Sequence, residues 1–244
     1  MSISYRFLPD GESVRAASEY APFVTSFTAP DAVGYAVDGA VAWRRVFHGR
    51  DLLLADGDPV TAAALVAAVA AEHRPTRLSL PRPIMELLPA ELRPERFGEW
   101  RWFYTDTAPE PQPGEERAAW LPGDEAGKAA IERLLDESFP DASTRTGDGH
   151  VKRWFGIPGE DGLVGCGAVS GPAEDVPFLA SITVHPGARR QGLAAAMTAW
   201  ATRDLLREFP FVALGSMEGE DATHRIYRRL GYRDTHALIS GSLS

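Results

Sequence analysis

Cysteine is almost missing from this chain. Cys166 is the only one in 244 residues, which excludes an internal disulfide and any cysteine-based zinc cluster and fits a reducing compartment. Lysine is nearly missing too: of 25 basic residues only Lys128 and Lys152 are lysines. With the many alanines, this composition fits a GC-rich bacterial gene. No long apolar run exists. The longest, 62–71, has ten residues, half of the ~20 that a membrane-spanning helix needs. The first residues, Met1-Ser-Ile-Ser-Tyr-Arg6, lack the basic stretch and apolar segment of a secretory leader. A cytoplasmic protein with no membrane partner is expected. Positive charge is also in short supply: 25 basic against 34 acidic residues give a net charge of −9. Such a balance excludes general nucleic-acid binding, which needs a basic face to neutralise phosphates.

The chain does have the material for a core. Hydrophobic residues make up 44% and charged residues 24%, an ordinary globular composition whose length allows one large domain or two small ones. Three prolines in Pro109-Glu-Pro-Gln-Pro-Gly114 cannot sit inside a helix or central strand. They suggest a linker at 109–114 between domains at 1–108 and 115–244. Periodicity in the second half predicts a helix after the cap residue Asp124, strands at 151–156, 163–170 and 177–184, a helix at 192–208, a strand at 211–216, a helix at 221–230 and a strand at 232–240. The segment 158–162 reads as the turn between the first two strands. The first half gives nearly the same order: a helix at 12–24, strands at 33–37 and 40–46 around the turn Asp38-Gly39, a strand at 51–55, a helix at 60–73, a strand at 76–80, a helix at 84–92 and a strand at 99–105. Two segments with one element order suggest an internal repeat.

The most informative stretch is Leu179-Ala-Ser-Ile-Thr-Val-His-Pro-Gly-Ala-Arg-Arg-Gln-Gly-Leu-Ala-Ala-Ala-Met-Thr-Ala-Trp200. A buried strand runs into a Pro/Gly loop, two arginines and a glycine that opens a long helix. The free N–H groups of a helix N-terminus point outward and carry partial positive charge. Gly192 lets an anion approach the backbone, Arg189 and Arg190 add charge, and small Ala194, Ala195 and Ala196 keep the first turn uncrowded. A plain helix start with surface arginines is the competing reading. Charge counting weighs against it: from Arg189 to Arg233 there are eight arginines and five acids, a basic window in an acidic chain. In the first half the equivalent stretch is Leu54-Ala-Asp-Gly-Asp-Pro-Val60, where Asp56 and Asp58 would repel an anion.

The 179–200 stretch resembles the acetyl-CoA motif of the GCN5-related N-acetyltransferases (GNAT), most closely the Val-x-Pro, Arg-Arg-x-Gly-Leu-Ala pattern of their FR47-like branch. Glu220-Asp-Ala-Thr-His-Arg-Ile-Tyr-Arg-Arg-Leu-Gly-Tyr232 is similar to the family's Asn-x-x-Ala-x-x-x-Tyr-x-x-x-Gly-Phe, with Tyr227, Gly231 and Tyr232 in register. Glu220 or Asp221 stands near the usual Asn, and Thr223 near the usual Ala. The likeness spans residues 120–240. It implies an α+β fold for the second half, a mixed, mainly antiparallel sheet flanked by helices; the shared element order extends this to two GNAT-like halves, the N-terminal one read from Asp56 and Asp58 as a degenerate copy without CoA affinity, with an unrelated α/β domain as the alternative. It also implies that acetyl-CoA is held by Ile182, Thr183, Val184, Arg189, Arg190, Gln191, Gly192, Leu193, Ala194, Ala195, Asp221 and Tyr227, and that no metal is needed.

The activity implied is transfer of an acetyl group to a primary amine of a small molecule or peptide, by a monomer or homodimer. Tyr227 would be the general acid for the departing thiolate, and Glu218 or Glu220 the base for the amine. The alternatives are a core tyrosine and solvated loop carboxylates. Catalytically silent acyl-CoA binding, or transfer of a longer acyl or aminoacyl group, would use the same fold. His185 is read as a turn former, His224 as a surface residue, and Cys166 as packing. Ile226 and Leu230 suffice for a core stripe on their helix. Trp100, Trp102, Phe103 and Tyr104 fit alternating strand faces, with a substrate wall as the other reading. Acceptor specificity is assigned to the loops after 139 and after 170 and to the first half.

Overall fold

A computed structural model describes residues 3–47, 49–160, 162–171 and 176–243. Asp161 of the expected 158–162 turn and residues 172–175 of the loop after 170 lie outside the described residues. The chain forms two compact units. The first contains Met1–Trp102, Ser216–Gly219 and Thr235–Ser244; the second contains Phe103–Gly215 and Glu220–Asp234.

The first unit begins with β1 (Arg6–Leu8), α1 (Gly11–Ala17), α2 (Pro22–Phe27), β2 (Val33–Val37), β3 (Ala40–Phe47) and β4 (Arg50–Gly57). These are followed by α3 (Pro59–His73), β5 (Arg77–Pro81), α4 (Arg82–Leu87) and β6 (Phe97–Thr105), whose last residues belong to the second unit. β1 to β4 are antiparallel neighbours, and β5 returns across α3 to pair β4 in parallel. The single helix expected at 12–24 is two. Pro22 lacks an N–H and forces Ala21 out of the helical region (ψ 131°), while Glu19 and Tyr20 take left-handed φ values of 54° and 57°. Pro89 likewise splits the expected helix 84–92 into α4 and a 3₁₀ turn at Ala90–Leu92.

The second unit repeats the succession with β7 (Ala119–Trp120), α5 (Glu125–Ser138), β8 (Val151–Pro158), β9 (Leu163–Ser170), β10 (Phe178–Val184), α6 (Leu193–Leu205), β11 (Val212–Met217), α7 (Asp221–Arg229) and β12 (Arg233–Ser242). Strands β7 to β10 are antiparallel neighbours, and β11 pairs β10 in parallel after the α6 crossover. Each unit is thus a mixed sheet flanked by helices. β1 and β7, of three and two residues, are too short to show a periodicity. α6 has nine of its 13 residues buried; its small residues let the backbone lie close on the sheet, where Met197 fills the space beside Gly165.

The boundary expected at 109–114 is not where the units divide. That segment belongs to the second unit and is fastened there. Arg203 of α6 donates to the Pro109 carbonyl at 3.3 Å and pairs with Glu115, whose other oxygen accepts from the Gln112 N–H at 2.8 Å. The division falls within β6, at Trp102/Phe103, and again within β11 and β12.

The first unit therefore depends on the far end of the sequence. Leu238–Ser242 of β12 pair antiparallel with Pro81–Arg77 of β5. Ser240 Oγ is within 2.7 Å of Ser79 Oγ and accepts from Trp100 Nε1 at 2.8 Å, and Ile239 joins the core formed by α3, β4 and β5. Burial of Leu238 and Ile239 contributes about 1.5–3 kcal/mol each, a large share of a domain's ~5–15 kcal/mol. Deleting residues 235–244 is expected to remove cooperative unfolding of the first unit. Rapid hydrogen exchange of the Leu78 and Leu80 amides is the readout, and native-like protection there contradicts this dependence.

Candidate functional site

The site is built on β10 and the helix that follows it. β10 starts as an ordinary inner strand, paired with β9 through Phe178, Leu179 and Ala180 and with β11 through Phe178 and Leu179. The register with β11 then ends. The register with β9 slips between Ala180 and Thr183, because Ser181 takes a left-handed φ of 50°. One residue bulged out of a ladder bends the strand and turns it from its neighbour. From Ala180 onward β10 therefore presents backbone groups with no β11 partner. Here stand half-buried Ile182 and buried Thr183 and Val184.

Pro186–Ala188 form a 3₁₀ turn in which His185 Nδ1 accepts from the Gly187 N–H at 3.2 Å, so His185 shapes the turn as its sequence position suggested. Arg190 (φ 63°) and Gly192 (φ 78°) are both left-handed and together swing the chain into α6. Gly192 is the N-cap, and no side chain caps the helix. The first-turn N–H groups have no partner inside the helix and are left for an external acceptor. Gln191 and Gly192 are exposed, Ala194 is half-buried, and Leu193 and Ala195 are in the core. The two arginines differ. Both are exposed, but Arg189 donates from Nε to the Val184 carbonyl at 3.1 Å and from a terminal nitrogen to the Ser138 carbonyl at 3.0 Å. It ties the end of β10 to the last residue of α5 and fills an unpaired C-terminal carbonyl.

α7 presents His224 and Tyr227, three residues apart, to the core. His224 is 2% exposed, with its ring 5.4 Å from Phe103. It is not the surface residue expected, because the stripe runs through His224, Tyr227 and Leu230 while Ile226 is only half-buried. Tyr227 lies in the same buried cluster as Val184, Leu193 and Ala195, with Phe103 edge-on at 5.6 Å. Burial, and then the nearby charge of Glu220, push its phenol well above the usual range. Glu220 and Asp221 are exposed at the start of α7. Glu218 belongs to the first unit. There its N–H bonds to the Glu99 carbonyl at 2.9 Å and its carboxylate accepts from Arg101 at 3.0 Å.

Burial pushes the Cys166 thiol up to about 12, which suits a packing residue. Trp102 and Phe103 are fully buried. Among the described residues no group of three or more His, Cys, Asp or Glu could hold a metal, and no helix is long and apolar enough to cross a membrane. One feature had no sequence signal: the bulge residue Ser181 looks like any strand serine.

In the first unit the equivalent helix start is closed. Asp58 caps α3, its Oδ1 accepting from the Thr61 N–H at 2.9 Å, and Pro59 removes another donor. Asp56 Oδ1 lies 3.4 Å from His236 Nε2.

Tyr227 and Tyr232 are both buried phenols pushed above their usual range, by burial first. Unfolded phenols ionise near pH ~10, so above that pH the unfolded state binds fewer protons than the folded state and stability falls as pH rises. Thermal midpoints from pH 8 to 11 should drop more steeply in the wild type than in Tyr232→Phe; equal slopes contradict this.

The Acetyltransferase (GNAT) family pattern matches residues 100–232. Solved structures share the fold. A GCN5-related N-acetyltransferase from Kribbella flavida is 21% identical, with a TM-score of 0.50 over 94% of each chain. An acetyltransferase from the GNAT family of Colwellia psychrerythraea is 11% identical, with a TM-score of 0.54 over 99% of this chain and 100% of that one. One from Sphaerobacter thermophilus is 15% identical, with a TM-score of 0.51 over 87% and 80%. No curated protein matches this chain. With more than half its length matched to the pattern, the chain belongs to the GNAT acetyltransferase family.

Proposed function

We propose that the second unit binds acetyl-CoA and transfers its acetyl group to a primary amine of a small molecule or peptide. One observation carries the reading: β10 loses its β11 partner after Leu179 and leads directly into a helix whose N-terminus has no side-chain cap. The stretch Ile182, Thr183 and Val184, which has no β11 partner although the Val184 carbonyl accepts from Arg189, suits an extended amide-bearing arm laid beside it as an added strand. The N–H groups of Arg190, Gln191, Gly192, Leu193 and Ala194 suit a pyrophosphate. Arg190 adds charge; Arg189 holds the loop in shape. Small Ala195 leaves the first turn uncrowded, and Asp221 is the exposed first residue of α7. The Arg189–Ala194 run supports placement in the FR47-like branch.

In the reaction the neutral amine attacks the thioester carbonyl. The new C–N bond forms, the C–S bond breaks, and a thiolate leaves. Tyr227 is the proposed acid. A phenol is protonated at neutral pH, as a donor to the thiolate must be, and burial only strengthens that preference. Glu218 and Glu220 are the candidates for the amine proton, and the carboxylate of Glu218 also accepts from Arg101. Tyr227→Phe is expected to lower turnover by about 10²–10⁴-fold with acetyl-CoA affinity unchanged within a factor of about two. The measurements are free-thiol release with a panel of amines, aminoglycosides, amino acids and peptides, and calorimetric titration. Wild-type protein that binds acetyl-CoA yet releases thiol with no acceptor would establish silent acyl-CoA binding instead.

The first unit is proposed to be a degenerate copy, its helix start occupied by Asp58 and Pro59. The full chain should then bind one acetyl-CoA. Space around a Cβ at Gly192 is open, so a side chain there costs only the left-handed backbone, about 1–2 kcal/mol. Gly192→Val should fold and bind none. Two equivalents in the wild type, or one remaining in Gly192→Val, would show that the first unit binds.

A further inference from the structure

Resting on the reading just given, we propose that Ser181 is a positioning residue that couples the loop after α5 to the acyl-CoA strand. Its hydroxyl donates to the Thr144 carbonyl at 2.9 Å and accepts from the Thr144 N–H at 3.1 Å. Both residues are buried, at 7% and 4% exposure. The two bonds form a closed bridge between the bulge of β10 and the middle of the 139–150 loop. A left-handed φ alone is met more easily by glycine. Serine carries the conformational cost, and its hydroxyl is the part that glycine lacks.

The rest of the loop is fastened to α5. Glu132 accepts from the Thr146 N–H at 2.8 Å and its hydroxyl at 2.7 Å, and from Arg145 at 2.7 Å. Arg145 also reaches Asp136 at 2.7 Å and the Pro140 carbonyl at 2.8 Å. Beneath the bridge, Ala142 of the loop and Ala180 of β10 pack on one apolar cluster with Trp154 and Cys166. Through Ser181 the loop thus follows the bulge, and the bulge is where β10 gains its free edge. A ligand that adds a strand to β10 holds the bulge still and, through the bridge, orders the loop assigned to acceptor specificity.

The test uses the full chain with acetyl-CoA as the probe, read by backbone hydrogen exchange. Ser181→Ala removes the bridge; Ser181→Gly removes it while relieving the left-handed backbone, and so folds even where alanine does not. Without ligand, both should exchange across 142–148 roughly tenfold faster or more, with α6 and the β8–β9 pair within about twofold of wild type. Saturating acetyl-CoA should slow 142–148 in the wild type by about threefold or more. The variants should bind it with Kd within about threefold of wild type and show no such slowing. Wild-type exchange in both unliganded variants overturns the bridge. Ligand slowing that survives in the variants, or is absent from a wild type that binds, overturns the coupling. Failure of the wild type to bind acetyl-CoA instead removes the proposed cosubstrate and the coupling with it, while the ligand-free comparison still decides the bridge.

Discussion

A strand can receive a ligand along its edge only where its backbone groups are not already paired. The interior of a sheet satisfies those groups completely, so a site of this kind needs a defect. In the second unit the defect is at Ser181. The left-handed residue slips the β9 register, β11 pairing ends at Leu179, and the remaining turn of strand is open on one side. The geometry on either side follows from this break. The strand remains attached to β9 through Thr183 and Val184, so it stays rigid while being half free. His185, Arg190 and Gly192 then turn the chain directly into α6, bringing unpaired helix N–H groups next to unpaired strand groups.

The two units show what such openness requires, because they share an element succession and differ at this junction. In the first, β4 leads into α3 through Asp56-Gly-Asp58, and Asp58 turns back to cap the helix while Pro59 takes the first helical position. Capping stabilises a helix by about 1 kcal/mol, but it uses the donors an anion would need. In the second, Gly192 leaves them unused. A helix start can have its own cap or an external one, and the two units have taken opposite choices.

This contrast was legible in the sequence, because Asp against Gly at a helix start is a difference in residue type. So were the apolar spacing of α5, the alanine-rich run of α6 and the Asp38-Gly39 hairpin. Other features were not. The role of β12 in the first unit depends on pairing between residues 77–81 and 238–242, about 160 positions apart, which no local pattern reports. Three prolines marked 109–114 as irregular, and it is, but irregular backbone can still be fastened. The ion pair of Glu115 with Arg203 joins residues whose neighbourhood is invisible in one dimension. His224, a polar residue on a short helix, reads as exposed, whereas its spacing from Tyr227 puts it on the buried face.

Arg189 and Arg190 illustrate how far residue type goes in locating function. Adjacent in sequence and identical in type, they suggest one shared role. Their surroundings separate them. Arg189 is spent on two main-chain carbonyls, so its contribution is the shape of the loop. Glu218, similarly, is spent on Arg101. In the proposed site, what remains for an anion is chiefly the main chain itself, with Arg190 beside it. That explains why glycine and alanine, rather than more arginine, dominate the start of α6. A larger side chain there would cover the N–H groups, and a second free guanidinium would add attraction without adding direction. On the proposed reading the chain's acidity elsewhere is no obstacle, since fixed peptide dipoles act at short range while distant carboxylates are screened over about 8–10 Å of salt solution.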